Sequence, residues 1–275
     1  MAANAENVAV NRTTALAAVP HLARIPSGEF LMGAADGEPH ERPVHRVRLR
    51  EFLIGRFPVT NDEYAHFIRA TGHPAPGVRE LPLIASNHRD RLFNEFAAPY
   101  IWQDAEPPSG RGNHPVVLVS YDDASAYCAW LSLILSRSVR LPTEAEWEKA
   151  ARGGVEGARY PWGDDIDQTR CNYLAYPAAK KQRGTRPTGT YPPNGYGLCD
   201  VIGNVWEWTS DWYSSDYYGE SETVDPKGPA SGSLRIVRGG SWVTEDLSMM
   251  RCGHRHSVPP DTYAYSIGFR IVCSE

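Results

Sequence analysis

Apolar side chains fall at helical spacing three times between Thr60 and Arg152. Outside that span they alternate, or form short runs between turn residues. The first helix is predicted from Thr60, with Glu63 three residues on at the capping-box spacing. Tyr64, Phe67 and Ile68 share one face, and Gly72 and Pro74 end it. A second helix is predicted over about Tyr121 to Leu135, with Ala124, Cys128, Leu131 and Leu135 in one stripe. A third runs from Glu144 to Arg152, capped by Thr143 and Glu146 and stopped by Gly153-Gly154.

Strand signals flank these helices. Ile25 to Gly33 reads as a strand, a turn and a second strand. Val47, Leu49, Phe52 and Ile54 alternate with Arg46, Arg48 and Arg50, with one slip of phase. This predicts a single half-buried strand with a bulge. Beyond residue 155 turn signals dominate, with strands over Leu234 to Val237 and Ile267 to Cys273. Strands and helices do not alternate as βαβ units, so the predicted class is α+β with a mainly antiparallel sheet. Residues 1–22 carry no amphipathic period and are expected to form a flexible tail. Residues 23–275 show no break in composition and are expected to form one domain.

Composition narrows the function classes. The 22 prolines and 24 glycines suit short elements joined by fixed turns. A net charge of -5 with no basic stripe argues against a nucleic-acid or membrane-surface partner. No run approaches the roughly 18 apolar residues of a membrane span. The N-terminus lacks a basic start followed by an apolar core, so a cytoplasmic protein with mostly reduced cysteines is expected. The cysteines, five in all, cannot all pair internally. Oligomeric state has no signal here.

Candidate chemistry gathers near the C-terminus. Cys252, His254 and His256 are spaced by two, so in a strand they share one face. A thiolate and two imidazoles there suit zinc, iron or copper; the same alternation also fits a packed strand. Arg251 and Arg255 suit paired bonds to a ligand carboxylate, or equally a buried ion pair. Asp200 and Glu207 bracket a glycine, a pattern that suits calcium or a solvated turn. Trp206, Trp208, Trp212, Tyr213, Tyr217 and Tyr218 suit a core or the wall of a groove. No HExxH, P-loop, GxGxxG or GxSxG motif is present.

Six blocks in order carry a family resemblance. They are Phe57-Pro58-Val59-Thr60-Asn61, Arg140 to Glu148 (RLPTEAEWE), Tyr160-Pro161-Trp162-Gly163, Asn194 to Leu198 (NGYGL), Gly203 to Trp208 (GNVWEW), and a C-terminal run. That run holds Arg238 to Trp242 (RGGSW), Arg251 to His256 and Ile267 to Arg270. Together they resemble the formylglycine-generating enzyme, or sulfatase-modifying factor, family. The resemblance implies a compact C-type-lectin-like fold with internal calcium. It assigns calcium to the side chains of Asp200 and Glu207 and the carbonyls of Gly203 and Val205. A second site would use Asn172 and the carbonyl of Tyr173, with Lys180-Lys181 where a carboxylate is wanted.

In the sulfatase-activating members two cysteines five apart hold copper. Cys252 matches the second, while the first is replaced by Leu247, or by Met249 if the shortened loop is aligned the other way. Trp206 is placed nearest the reaction groove. The resemblance thus implies a divergent oxygen-dependent oxidoreductase, with copper or iron, acting on a small molecule or peptide thiol through Cys252. The competing expectation is a non-catalytic, calcium-stabilised binding module.

Overall fold

The computed structural model describes residues 20–77, 89–174 and 183–274. The flexible tail expected over 1–22 lies outside these residues up to position 19, and Leu22 already begins the first strand. Strands β1 (Leu22–Ile25), β2 (Gly28–Met32), β3 (His45–Leu49) and β4 (Phe52–Gly55) come first. Helices α1 (Asn61–Thr71), α2 (Arg89–Ala97), α3 (Tyr121–Leu135) and α4 (Glu144–Arg152) follow, with β5 (Val139–Arg140) before α4. The remainder holds β6 (Trp206–Trp212), α5 (Tyr217–Glu220), β7 (Arg235–Arg238), β8 (His256–Val258), β9 (Ile267–Gly268) and β10 (Val272–Cys273).

Three sheets result. One has the order β1-β4-β10-β5, one is the β2-β3 hairpin, and one has the order β8-β7-β6-β9. Pairing is antiparallel except between β6 and β9. The mixed α+β class and the mainly antiparallel sheets are as expected.

Two strand expectations need correction. The phase slip after Leu49 is a break between two strands: β3 pairs with β2, whereas β4 enters the sheet of β1 and β10. The run from Ile267 to Cys273 also divides, with β9 and β10 serving different sheets. In both cases one alternating run turns a corner between sheets.

Thr60, Ser120 and Thr143 each form a full capping box, with Glu63, Asp123 and Glu146. Side-chain oxygens thereby satisfy orphan N–H groups of the first turn. Gly72 and Gly153 close α1 and α4 in the left-handed conformation.

One core region packs Tyr64, Phe67, Tyr127, Trp130 and Phe269 between α1, α3 and the strands. A second packs α4 over β1 to β4 and includes Met250 and Cys252. Every residue of α4 is buried. Its charged side chains therefore require internal partners, since an unpaired ion in the interior is strongly destabilising.

Candidate active site

Helix α4 supplies the inner charges. Glu144 and Glu148 lie one turn apart and meet Arg238 at 2.7 and 2.6 Å. Arg152 reaches Glu148 at 2.7 Å, and Arg255 grips both oxygens of Glu144 at 2.8 and 3.0 Å. Burial would raise the Glu148 carboxyl, but the charges of Arg152 and Arg238 hold it below its ordinary value.

Next to this network, Arg251 donates to both oxygens of Glu41 at 2.7 and 2.9 Å. Glu41 is itself fully buried. The two arginines expected to grip a ligand carboxylate are thus committed to internal glutamates, which corrects the groove assignment of Arg251 and Arg255. The buried-ion-pair alternative fits their positions.

Cys252 is 0% exposed and packs in the core under α4. Burial pushes its thiol up to about 12, with the nearby Arg152 charge only partly offsetting this. Its amide donates to the Arg159 carbonyl at 2.8 Å, and its own carbonyl accepts from Arg238 at 2.5 Å. A thiol held protonated in a closed core is a poor nucleophile and a poor soft ligand. The strand β8 begins only at His256, so the shared face expected for Cys252, His254 and His256 is not formed. Among the described residues no three His, Cys, Asp or Glu side chains stand together in metal-holding geometry. The three-ligand set is corrected accordingly: Cys252 leaves it.

His254 and His256 do meet Trp206. Its ring lies 6.0 Å from His254 and 5.1 Å from His256, and the two imidazoles stack at an interplanar angle of 18°. Trp206 is held as the first residue of β6, parallel to Ile267. The His254 Nδ1 is 3.2 Å from Glu41 Oε1. Burial works to raise the Glu41 carboxyl, but bonds from His254 and Arg251 bring it down to about 2. An ionised carboxylate only accepts, so Nδ1 carries a proton and donates to Glu41. The His254 Nε2 is buried and has no hydrogen-bond partner.

His40 lies close enough for its charge and that of His254 to affect one another, and its Nδ1 is 3.1 Å from the Tyr213 hydroxyl. Burial, together with the His254 charge, lowers His256; burial and the Arg255 charge lower His40. Of the other aromatics, Trp208 and Tyr218 are core, whereas Trp212 lies beneath Arg235 at 3.4 Å.

Of the residues expected to hold calcium, Asn172 and Gly203 are brought together. Asn172 bridges Gly203, whose φ of +79° and closeness to the Asn172 carbonyl leave no room for a side chain. Asp200 accepts from the Gly189 amide at 2.7 Å, while its Oδ1 is buried without a partner. Burial raises its carboxyl to about 6. That orphaned oxygen fits a hard cation, while the Gly203 carbonyl already accepts from the Val205 amide at 2.8 Å. Glu207 fits less well. Arg270 takes both of its oxygens at 2.6 Å, and the Trp147 indole N–H donates to one at 2.7 Å. Tyr173 packs half-buried against the α4 core, and Lys180-Lys181 lie outside the described residues.

Residues 7–275 match the model of the sulfatase-modifying factor enzyme 1-like domain. The chain belongs to the formylglycine-generating enzyme family. It is 43% identical to the formylglycine-generating enzyme of Streptomyces coelicolor, covering 90% of this chain and 87% of that one. It is 34% identical to the inactive Cα-formylglycine-generating enzyme 2 of Mus musculus, covering 93% and 86%. The structure of PvdO from Pseudomonas aeruginosa superposes with a TM-score of 0.76 at 28% identity, covering 94% and 95%.

Sequence reasoning missed Glu41, which orients His254 from 213 residues away. It also missed the Glu144–Arg238–Glu148 network. There a signal existed: two glutamates four apart in a helix opened by a capping box.

Proposed function

We propose that this member of the family is a metal- and oxygen-dependent oxidoreductase acting on a small molecule or a peptide thiol. Its reactive side is built on His254 and His256 rather than on Cys252. The observation that carries this reading is the unpartnered His254 Nε2, whose opposite nitrogen is fixed by ionised Glu41. A carboxylate behind an imidazole is the usual support of a metal-binding histidine. A copper or iron ion held by His254 and His256 would supply the one-electron chemistry that dioxygen requires. Glu41 holds the tautomer, Arg251 holds Glu41, and Trp206 covers one side of the pair. Two protein ligands leave positions open for substrate. A cytoplasmic setting belongs to the same reading, and the five unpaired cysteines support it.

Oxygen uptake tests it. With a copper- or iron-loaded sample and a dithiol, two thiols and one dioxygen give one disulfide and one hydrogen peroxide. The uptake is expected to vanish in His254→Ala and to persist in Cys252→Ser. Absence of uptake in every metal-loaded form would reject the oxidase.

A second reading is a calcium-stabilised binding module that does no chemistry. The orphaned Asp200 oxygen favours it, and a relative named inactive makes it reasonable. Calcium is then expected to raise the melting temperature of the wild type and not of Asp200→Ala. No calcium effect on the wild type would remove this support.

A further inference from the structure

Asp200, with its unpartnered Oδ1, lines a cavity of about 150 Å³ between two loops. Trp162 and Arg170 line it from one loop, and Pro192, Pro193 and Gly195 from the other. These side walls stand open to solvent: Arg170, Pro192, Pro193 and Gly195 are exposed, and Trp162 is half-buried. The floor is closed by buried side chains, and Asp200 is set into it at 6% exposure. The cavity shares no lining residue with the two cavities beside Arg251, and neither His254 nor His256 lines it. An apolar cavity of about this volume holds benzene, so there is room for about five or six heavy atoms.

Both walls are fixed in advance. The Trp162 ring stacks on Tyr160 at 5.6 Å, and its indole N–H donates to the Asp165 carbonyl at 2.9 Å. The Asn194 side chain donates to the Ala150 and Ala151 carbonyls at 2.8 and 3.0 Å, in the last turn of α4. Its oxygen accepts from the Tyr196 and Leu198 amides, both at 3.0 Å. Asp200 is held at a φ of +57°, a conformation that needs support in a non-glycine residue. Its Oδ2 is taken by the Gly189 amide, and among the described residues Oδ1 has no donor.

We propose that this cavity binds a short primary alkylamine, at a site separate from the histidines. The ammonium donates to Asp200 Oδ1 and answers the buried charge, and the alkyl chain lies against Trp162, Pro192 and Pro193. The donor set selects this class. A neutral alcohol donates one hydrogen bond but brings no counter-charge. A guanidinium brings five N–H donors to one available oxygen, whereas an ammonium turns its other two towards the open side. A calcium ion requires six to eight oxygens. Arg270 already holds both oxygens of Glu207, and the Val205 amide holds the Gly203 carbonyl.

Calorimetric titration with butylammonium, butan-1-ol and calcium chloride tests the proposal, at mildly alkaline pH where Asp200 is ionised. Butylammonium is expected to bind one per chain and about tenfold to a hundredfold more tightly than butanol, the size of a hydrogen bond to a charged group. Asp200→Asn keeps the shape and an acceptor for the Gly189 amide, and is expected to abolish that preference. Arg170 stands at the rim with its guanidinium 6.0 Å from the Trp162 ring. Arg170→Gln removes that cation and is expected to tighten butylammonium about twofold to fivefold with butanol unchanged, which damage to the fold would not do. Failure of butylammonium to saturate, equal affinity for butanol, a preference kept in Asp200→Asn, or weaker butylammonium binding in Arg170→Gln would each overturn the proposal. Calcium binding through Asp200 without butylammonium binding would also overturn it and give the oxygen to the metal. None of these outcomes depends on the oxidase reading.

Discussion

A cysteine and a histidine two residues apart have opposite fates here. Cys252 is closed into the core with its thiol protonated, and His254 keeps a buried Nε2 without a hydrogen-bond partner. Sequence spacing placed them on one face because it assumed that a strand begins at Cys252. The chain instead turns through 252 and 253 and reaches extended pairing at His256. What the one-dimensional pattern lacked was the turn, along with the distant carboxylate that orients the imidazole. A direct consequence concerns thiol reactivity. Cys252 in the native protein is expected to resist iodoacetamide and to label fully once the chain is unfolded. Peptide mass spectrometry reads the difference, and rapid native labelling would contradict its burial.

Helix α4 was the most legible element, and the reason is local. Its capping box, its length and its glycine stop are all written within eleven residues of sequence. The partners of its glutamates were not legible, because Arg238 and Arg255 arrive from the far end of the chain. The energetic weight lies in those partners. Glu148→Ala leaves Arg152 and Arg238 short of a counterion and is expected to cost about 3 to 5 kcal/mol. Thr143→Ala removes only the cap and is expected to cost about 1 kcal/mol. Urea denaturation of the two variants checks the order; equal losses would mean that the network contributes little. The β3–β4 and β9–β10 corners show the opposite case. Alternation gives the face of each strand but not the sheet it joins, since that depends on partners far along the chain.

At the scale of the whole molecule, stability depends on pH through buried acids. Burial, reinforced by the charge of Glu144, raises Asp211 to about 7 from an ordinary 3.8. The fold therefore favours its protonated form, and the associated stability is present at low pH and lost as pH rises through about 7. Between pH 5.5 and 8.5 the loss is about 2 kcal/mol, or roughly 4 to 8 °C in melting temperature. Asp211→Asn is expected to remove this slope while still accepting from the Glu144 amide. An unchanged slope in that variant would place the effect elsewhere. The family and the α+β class were visible in ordered motifs, because these lie in turns and caps with strict local requirements. His254 was named only for its spacing with Cys252 and His256; the role proposed for it comes from the nitrogen that the finished fold leaves unpartnered. The account therefore rests most directly on metal content measured in two variants after identical copper or iron loading. Near one redox metal per chain retained in Cys252→Ser and lost in His254→Ala is the expected result; metal lost in Cys252→Ser and retained in His254→Ala would contradict it.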